Sequence, residues 1–257
     1  MNLKFVNSES EMELSKNFIM QIEGYKRRVN TQDRYGKDGA VPTGDQMVDS
    51  RKISFSYQPV AETDEDYLEI TNDIVGFFNL SLSPFYLVDT DTSRRCEIVL
   101  LEVEDEAKTD GLERRIGKNK LEVEMLDGHW EDEDATTISS ETGGLATGEN
   151  ISINNSADVD CFPVITIDAY QSNTNFTIKN LTTGAFFTLG SNSFVPGVSF
   201  VVNSQVGTIY LSTVELSSAL ASGSGFIKLI PGINQIEYSS VFGNVDLEIE
   251  YRKRYAF

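Results

Sequence analysis

Apolar and polar residues alternate with a period of two from Val245 onward. Val245, Leu247, Ile249 and Tyr251 fall on one side, and Asp246, Glu248, Glu250 and Arg252 on the other. Successive side chains of a strand point to opposite faces, so this pattern predicts a strand with one buried face. Pro231-Gly232 and Gly243-Asn244 punctuate the stretch. Proline presets φ for the first corner of a turn and glycine accepts positive φ, so three antiparallel strands are expected, at 226–230, 233–238 and 245–252. Upstream, shorter apolar runs at 162–169, 176–180, 185–189, 198–202 and 207–211 are separated by turn residues such as Thr182-Thr183-Gly184 and Pro196-Gly197. That spacing predicts a two-sheet antiparallel sandwich.

The earlier part of the chain reads differently. Ile53, Phe55 and Tyr57 alternate with Lys52, Ser54 and Ser56; Cys96, Ile98 and Leu100 with Arg95, Glu97 and Val99; Leu121, Val123 and Met125 with Glu122 and Glu124. Each predicts a strand, and a further one is expected around 25–31. One helix is expected, over about 64–80. Thr63 and Asp64 offer N-caps, Asp64, Glu65 and Asp66 suit the positive end of the helix dipole, and Tyr67, Ile70, Ile74, Phe77 and Phe78 share a face before Pro84. Residues 33–45 and 102–115 lack an apolar period and read as long loops, which in an oligomer are natural places to reach a neighbour. Residues 131–149 are acidic, then rich in Ser, Thr and Gly, as linkers are. The expected division is therefore 1–133 and 134–257, and the expected class is mainly β, with one α-helix in the first domain.

Composition adds limits. A chain of 257 residues suits two cores, and 15 Phe and 10 Tyr give each enough apolar bulk to bury. No run approaches the roughly 18 apolar residues of a membrane span, and the first residues lack the apolar core of a signal peptide, so cytoplasmic synthesis and no membrane partner are expected. The net charge is −19, with 30 acidic against 16 basic residues over 1–135 and 10 against 5 thereafter. Affinity for nucleic acid comes largely from Lys and Arg, so specific nucleic-acid binding is not expected. Cys96 and Cys161 fall in different domains and read as buried thiols.

Reactive chemistry is hard to place. His129 is the one histidine and has no neighbouring nucleophile or carboxylate in a recognisable triad. Asp89-Thr90-Asp91 and Glu131 to Asp134 are oxygen-rich, yet the first lacks the twelve-residue calcium-loop pattern. There is no phosphate-binding or dinucleotide glycine motif and no zinc spacing. No catalytic residue, metal ligand set or cofactor is assigned, and an enzyme is not expected. A carbohydrate-binding or adhesin sandwich is the alternative, with Tyr170, Phe176 and Phe194 as aromatic stacking platforms.

Two sets of residues carry a resemblance. An aromatic followed by Leu-x-Pro-Gly-x-Asn-x-Ile, here Phe226, Leu229, Pro231, Gly232, Asn234 and Ile236, leads into a hairpin and a strand ending in the basic sequence Tyr251 to Tyr255. Ser93-Arg94-Arg95 stands before the 96–100 strand, and the strand near 121–125 runs into His129-Trp130. In this order of elements the chain resembles siphophage distal tail proteins. The resemblance implies a structural virion protein of the tail tip, forming a hexameric ring that joins the tail tube to the tip or baseplate. It implies a tail-tube-like β-sandwich or barrel that builds the ring, and a galectin-like sandwich at its periphery. The implied partners are further copies of the chain, the tail tube protein, a tail-tip hub or fibre protein, and a receptor-binding protein. DNA would pass through the channel without being bound. On this reading Glu102, Glu104, Asp105 and Glu106 are candidates for the channel wall, while Tyr35, Val41, Pro42, Leu112, Arg114 and Arg115 are candidates for contacts between protomers. The compact second domain implies a simple tip without a large inserted arm.

Overall fold

The computed structural model of the chain describes residues 2–14, 18–22, 27–28, 31–33, 40–42, 47–48, 50–57, 63–105, 119–140, 144–170, 176–189, 197–216, 220–240 and 243–256. The chain divides into two units, Met1–Trp130 and Glu131–Phe257.

The first unit is built on one antiparallel sheet, in the order Glu11–Glu13, Leu3–Val6, Phe85–Asp89, Arg94–Asp105, Asn119–Met125, Arg51–Tyr57 and Phe18–Ile22. Register places Leu87 between Phe5 and Cys96, Val123 between Leu100 and Ile53, and Leu121 opposite Phe55. These residues lie on the core face, and Phe5, Ile53, Phe55, Leu87, Leu121 and Val123 are almost wholly buried. The helix Asp64–Phe77 lies on that face. Its N-terminus is closed by a capping box, with the Thr63 hydroxyl accepting from the Asp66 N–H and the Asp66 carboxylate from the Thr63 N–H, both at 3.0 Å. Tyr67, Ile74, Phe77 and Phe78 turn inward. Phe5 meets Phe55 and Phe78 edge-on, each with ring centroids 5.2 Å apart, the geometry aromatic quadrupoles favour. The buried Tyr67 hydroxyl donates to Asn119 Oδ1 at 3.0 Å, and the Asn7 side chain donates to the Phe77 carbonyl at 3.0 Å, so both ends of the helix are tied to the sheet side.

The second unit is a sandwich. Six strands run in the order Thr136–Ser139, Val245–Tyr251, Val164–Ala169, Ser199–Asn203, Thr208–Leu211 and Val214–Glu215. Four more run Asn150–Asn155, Gly232–Ser240, Phe176–Asn180 and Phe186–Leu189. Ile165, Ile167, Phe200, Leu247 and Ile249 of the first sheet pack against Ile153, Phe176, Ile178, Phe187, Ile236 and Tyr238 of the second.

The mainly β class with one helix stands, and several sequence expectations need correction. The helix ends at Phe77, and a short 3-10 turn at Leu80–Leu82 takes up the chain before Pro84. Residues 226–230 form no strand; Leu229 only bridges Cys161. The stretch read as a loop from Glu102 is strand up to Asp105, because pairing resumes after a bulge between Leu100 and Glu102. The stretch read as a loop from Asp33 holds a ladder, Thr31–Asp33 against Ala40–Pro42. The stretch read as a linker contains the strand Thr136–Ser139. Cys96 and Cys161 are buried thiols.

Candidate assembly surface

The bulge sets the chemistry of the first sheet's other face. It makes Leu101 the extra residue, 42% exposed, and so returns Val103 to the core side and Glu102 and Glu104 to the outer side. Glu102 then stands opposite Glu122, Glu104 opposite Lys120, and Val99 opposite Glu124. Like charges facing each other across strands repel, and two lysines relieve the Glu102–Glu122 pair. Lys52 Nζ lies 2.9 Å from Glu122 Oε1, and Lys120 Nζ lies 3.0 Å from Glu122 Oε2. Hydrogen bonds from Lys52 and then Lys120 hold the Glu122 carboxyl below the usual carboxylate range. The bond to Glu122, followed by the charge of Glu104, holds Lys120 above the usual lysine range. The Ser50 hydroxyl donates to Glu124. Register puts Arg95 and Glu97 on this face as well, with the Arg95 guanidinium 4.3 Å from the centre of the Tyr86 ring. The face carries Glu97, Glu102, Glu104, Glu122 and Glu124 against Arg95, Lys52 and Lys120, a surplus of carboxylates.

Of the sequence candidates for a channel wall, Glu102 and Glu104 are exposed on this face, and Asp105 pairs with Asn119 at its end. Glu106 lies outside the described residues. Of the candidates for contacts between protomers, Val41 pairs with Gln32 and Pro42 with Thr31 in the distal ladder; Tyr35, Leu112, Arg114 and Arg115 lie outside the described residues.

In the second unit the Pro-Gly-x-Asn sequence has a physical role that its spacing did not reveal. Gly232 sits at φ 96°, where a Cβ is strained. The turn brings the fully buried Asn234 back against Ile230. Its Oδ1 accepts from the Ile230 N–H at 3.1 Å, and its Nδ2 donates to the Ile230 carbonyl at 2.8 Å and the Gly232 carbonyl at 3.1 Å. Asn180 Nδ2 adds donations to Asn234 Oδ1 at 3.0 Å and to the Lys228 carbonyl at 2.9 Å. Asn155 Nδ2 reaches the Leu229 carbonyl at 3.0 Å. Three buried side-chain amides thus satisfy backbone groups of residues 228–232, of which 228–231 run without a sheet partner apart from the bridge at Leu229. This explains the missing strand at 226–230: side chains take the place of a ladder.

The remaining candidates are consumed locally. Asp89 accepts from the Asp91 N–H at 3.1 Å and the Thr92 hydroxyl at 2.8 Å, and Asp91 accepts from the N–H and side-chain amide of Asn2. His129 Nδ1 donates to the Asp127 carbonyl at 2.8 Å. Phe176 is 2% exposed and packs on Phe200, so it is core and offers no stacking platform. Tyr170 is 48% exposed, lies against the backbone of Gly144, and is hydrogen-bonded to Asp246, which holds its hydroxyl above the usual tyrosine range. Phe194 lies outside the described residues.

Comparison with known proteins sets these surfaces in context. Residues 7–125 match the family model of the phage tail protein RIFT-related domain, and residues 156–255 match that of the siphovirus-type tail component, C-terminal domain. The fold matches the crystal structure of the SPP1 Dit protein (gp 19.1), described as a paradigm of the hub adsorption apparatus in phages infecting Gram-positive bacteria. The TM-score is 0.72 at 13% identity, over 98% of each chain. The chain belongs to the siphophage distal tail protein family. A component of the phage P2 baseplate in its activated conformation with Ca is similar at a TM-score of 0.51 and 11% identity, over 100% of this chain and 99% of that one. No curated protein matches the sequence. As a member of the distal tail protein family, the chain is a structural protein of the virion tail, and the family and its fold are not those of an enzyme.

Proposed function

We propose that this protein is the hub that joins tail tube to tail tip, closing with copies of itself into a ring, hexameric by analogy with the family, around a passage for DNA. Residues 1–130 build the ring and the sandwich projects from it to hold adhesion components. The observation that carries this reading is the two-sided sheet of the first unit. One face is sealed by the helix and an aromatic cluster, while the other is a strand surface with surplus carboxylates, Glu97, Glu102, Glu104, Glu122 and Glu124. A passage for DNA benefits from a wall that repels phosphates, and at physiological salt such repulsion acts over about 8–10 Å. The stretches 33–45, bearing Val41 and Pro42, and 102–115 contribute contacts between copies; the tail tube protein meets one side of the ring, and a tip, fibre or receptor-binding protein the other.

Negative-stain imaging of the purified chain tests this directly, with closed rings as the expected result. A chain that stays monomeric at all concentrations and binds isolated glycans would instead support the sandwich adhesin. For the wall, Glu97→Gln/Glu102→Gln/Glu104→Gln in assembled phage is expected to slow DNA ejection at low salt. Ejection identical to wild type would remove the acidic face from the channel.

A further inference from the structure

One end of the six-stranded sheet in the second unit opens into a cleft of about 70 Å³, room for several waters. Alternation along two neighbouring strands builds it. Phe162 and Val164 turn to the outer face while Cys161 and Ile165 turn to the core. Glu250 stands opposite Val164, and Arg252 and Arg254 follow it along the chain at steps of two. On its other side Val164 pairs with Asn203. The Asn203 Oδ1 accepts from the N–H groups of Gln205, at 3.0 Å, and Val206, at 3.1 Å, in a turn that sets Gln205 in the cleft wall.

The cleft is organised before any ligand arrives. Arg254 is 8% exposed. Its Nη1 donates to the Asp160 carbonyl at 3.2 Å, and its guanidinium lies over the Phe162 ring, 5.3 Å from the centre, where cation and ring quadrupole attract. The ring, 36% exposed, is thereby held in place as a platform. Arg252 donates through Nη1 to the carbonyls of Asp132, at 3.1 Å, and Glu133. Among the described residues it bonds through Nη1 alone, which leaves its Nε–Nη2 edge for a ligand. Among the same residues the Glu250 carboxylate and the Gln205 amide make no hydrogen bond or ion pair. Side chains already fixed lose little freedom on binding.

Charge selects the ligand. Glu131 and Glu250 balance Arg252 and Arg254, so the cleft has no net charge to anchor an ion. Beside it the same sheet face carries Glu248 and the facing pair Asp168 and Asp246, which repel anions. Donors and acceptors set around an apolar platform match a ligand whose hydroxyls both donate and accept and whose C–H face is apolar. We propose that this cleft is a subsite for one neutral sugar. Its C–H face packs on Phe162 and Val164, and its hydroxyls donate to Glu250 and accept from Arg252 and Gln205. Tyr170, the exposed aromatic bonded to Asp246, belongs to the far end of the same strand and is not part of the cleft.

Saturation-transfer difference NMR on the full chain tests it, with glucose, galactose and N-acetylglucosamine as neutral probes and glucuronate as the anionic one. At least one neutral probe is expected to bind in the millimolar range, and glucuronate at least about fivefold more weakly than glucose. Phe162→Ala and Glu250→Ala should each weaken binding by on the order of tenfold, and Tyr170→Ala should leave it unchanged. All three positions are exposed, and circular dichroism checks that each variant folds. Silence from every neutral probe, binding that survives both cleft substitutions, or binding lost in Tyr170→Ala alone overturns the subsite and leaves the hub reading as it was. A chain that binds a neutral probe through Phe162 yet never closes into rings keeps the subsite and overturns the hub.

Discussion

In the second unit two sheets cover each other, and Ile165, Phe176, Phe200, Tyr238 and Leu247 are sealed between them. The sheet of the first unit has a helix on one side and a field of charged side chains on the other. The sandwich completes its own burial, and it uses buried amides at Asn155, Asn180 and Asn234 to hold an irregular stretch that no strand supports. Among its described residues the first unit leaves a strand surface of charged side chains without a second sheet over it. The contrast separates a part whose architecture is internal from one that, on the proposed reading, is completed by neighbouring copies. It also assigns cost differently, since self-contained polar networks are expensive to damage and solvated charges are cheap.

The sharpest way to break this comparison is a pair of core truncations. Phe55→Ala should destabilise the first unit, and Phe176→Ala the second, each by about 3–5 kcal/mol, as cavities in well-packed cores do. Scanning calorimetry should show the two substitutions moving different transitions; movement of one shared transition would mean the units do not fold separately. Asn234→Ala comes next. It strands the N–H and carbonyl of Ile230 and a donor of Asn180 in a buried site, at about 1–3 kcal/mol for each group left unsatisfied. A loss of at least about 3 kcal/mol confined to the sandwich transition is expected, and a neutral result would show that water replaces the amide.

The smallest effect belongs to the charged face. Glu122→Gln should change stability by no more than about 1 kcal/mol, because exposed ion pairs contribute little. Its pH signature is more telling. The Glu122 carboxyl is held below its ordinary range in the folded protein, so its contribution is full above the unfolded carboxyl pKa and is lost as pH falls through the folded one. Urea midpoints of wild type and Glu122→Gln should therefore converge in acid and separate toward neutral pH. Parallel curves would show that Lys52 and Lys120 act elsewhere.

Much of this was legible along the chain. Strict alternation at 53–57, 121–125 and 245–251 marks strands with one face in a core, and the helix shows itself through its cap and its apolar face. The misses have physical causes. Glu102 to Asp105 look like solvated loop because one face of their strand carries charge and the bulge at Leu101 breaks the count of two. Thr31–Asp33 and Ala40–Pro42 pair without an apolar face, so periodicity is silent about them. Thr136–Ser139 and Asn150–Asn155 are edge strands rich in hydroxyls and amides, the same residue types that make linkers. Residues 226–230 have the apolar content of a strand, yet their backbone is satisfied by asparagine side chains from other parts of the sandwich. Family resemblance marked Asn234 as significant; only three-dimensional contacts gave the reason. The channel-wall and contact candidates came from the resemblance, and the fold brings Glu102 and Glu104 onto one acidic surface.

The position of Val245–Tyr251 has a consequence for how the protein is made. This strand lies in the interior of its sheet, between Thr136–Ser139 and Val164–Ala169, and the Leu247 N–H bonds the Ser140 hydroxyl across 107 positions of sequence. Until those late residues emerge from the ribosome, the earlier strands have a gap where their middle neighbour belongs. Contacts this distant in sequence form slowly. The nascent chain therefore carries an unsealed half-sandwich until residues 245–251 have been made, an interval in which a chaperone has the most to protect.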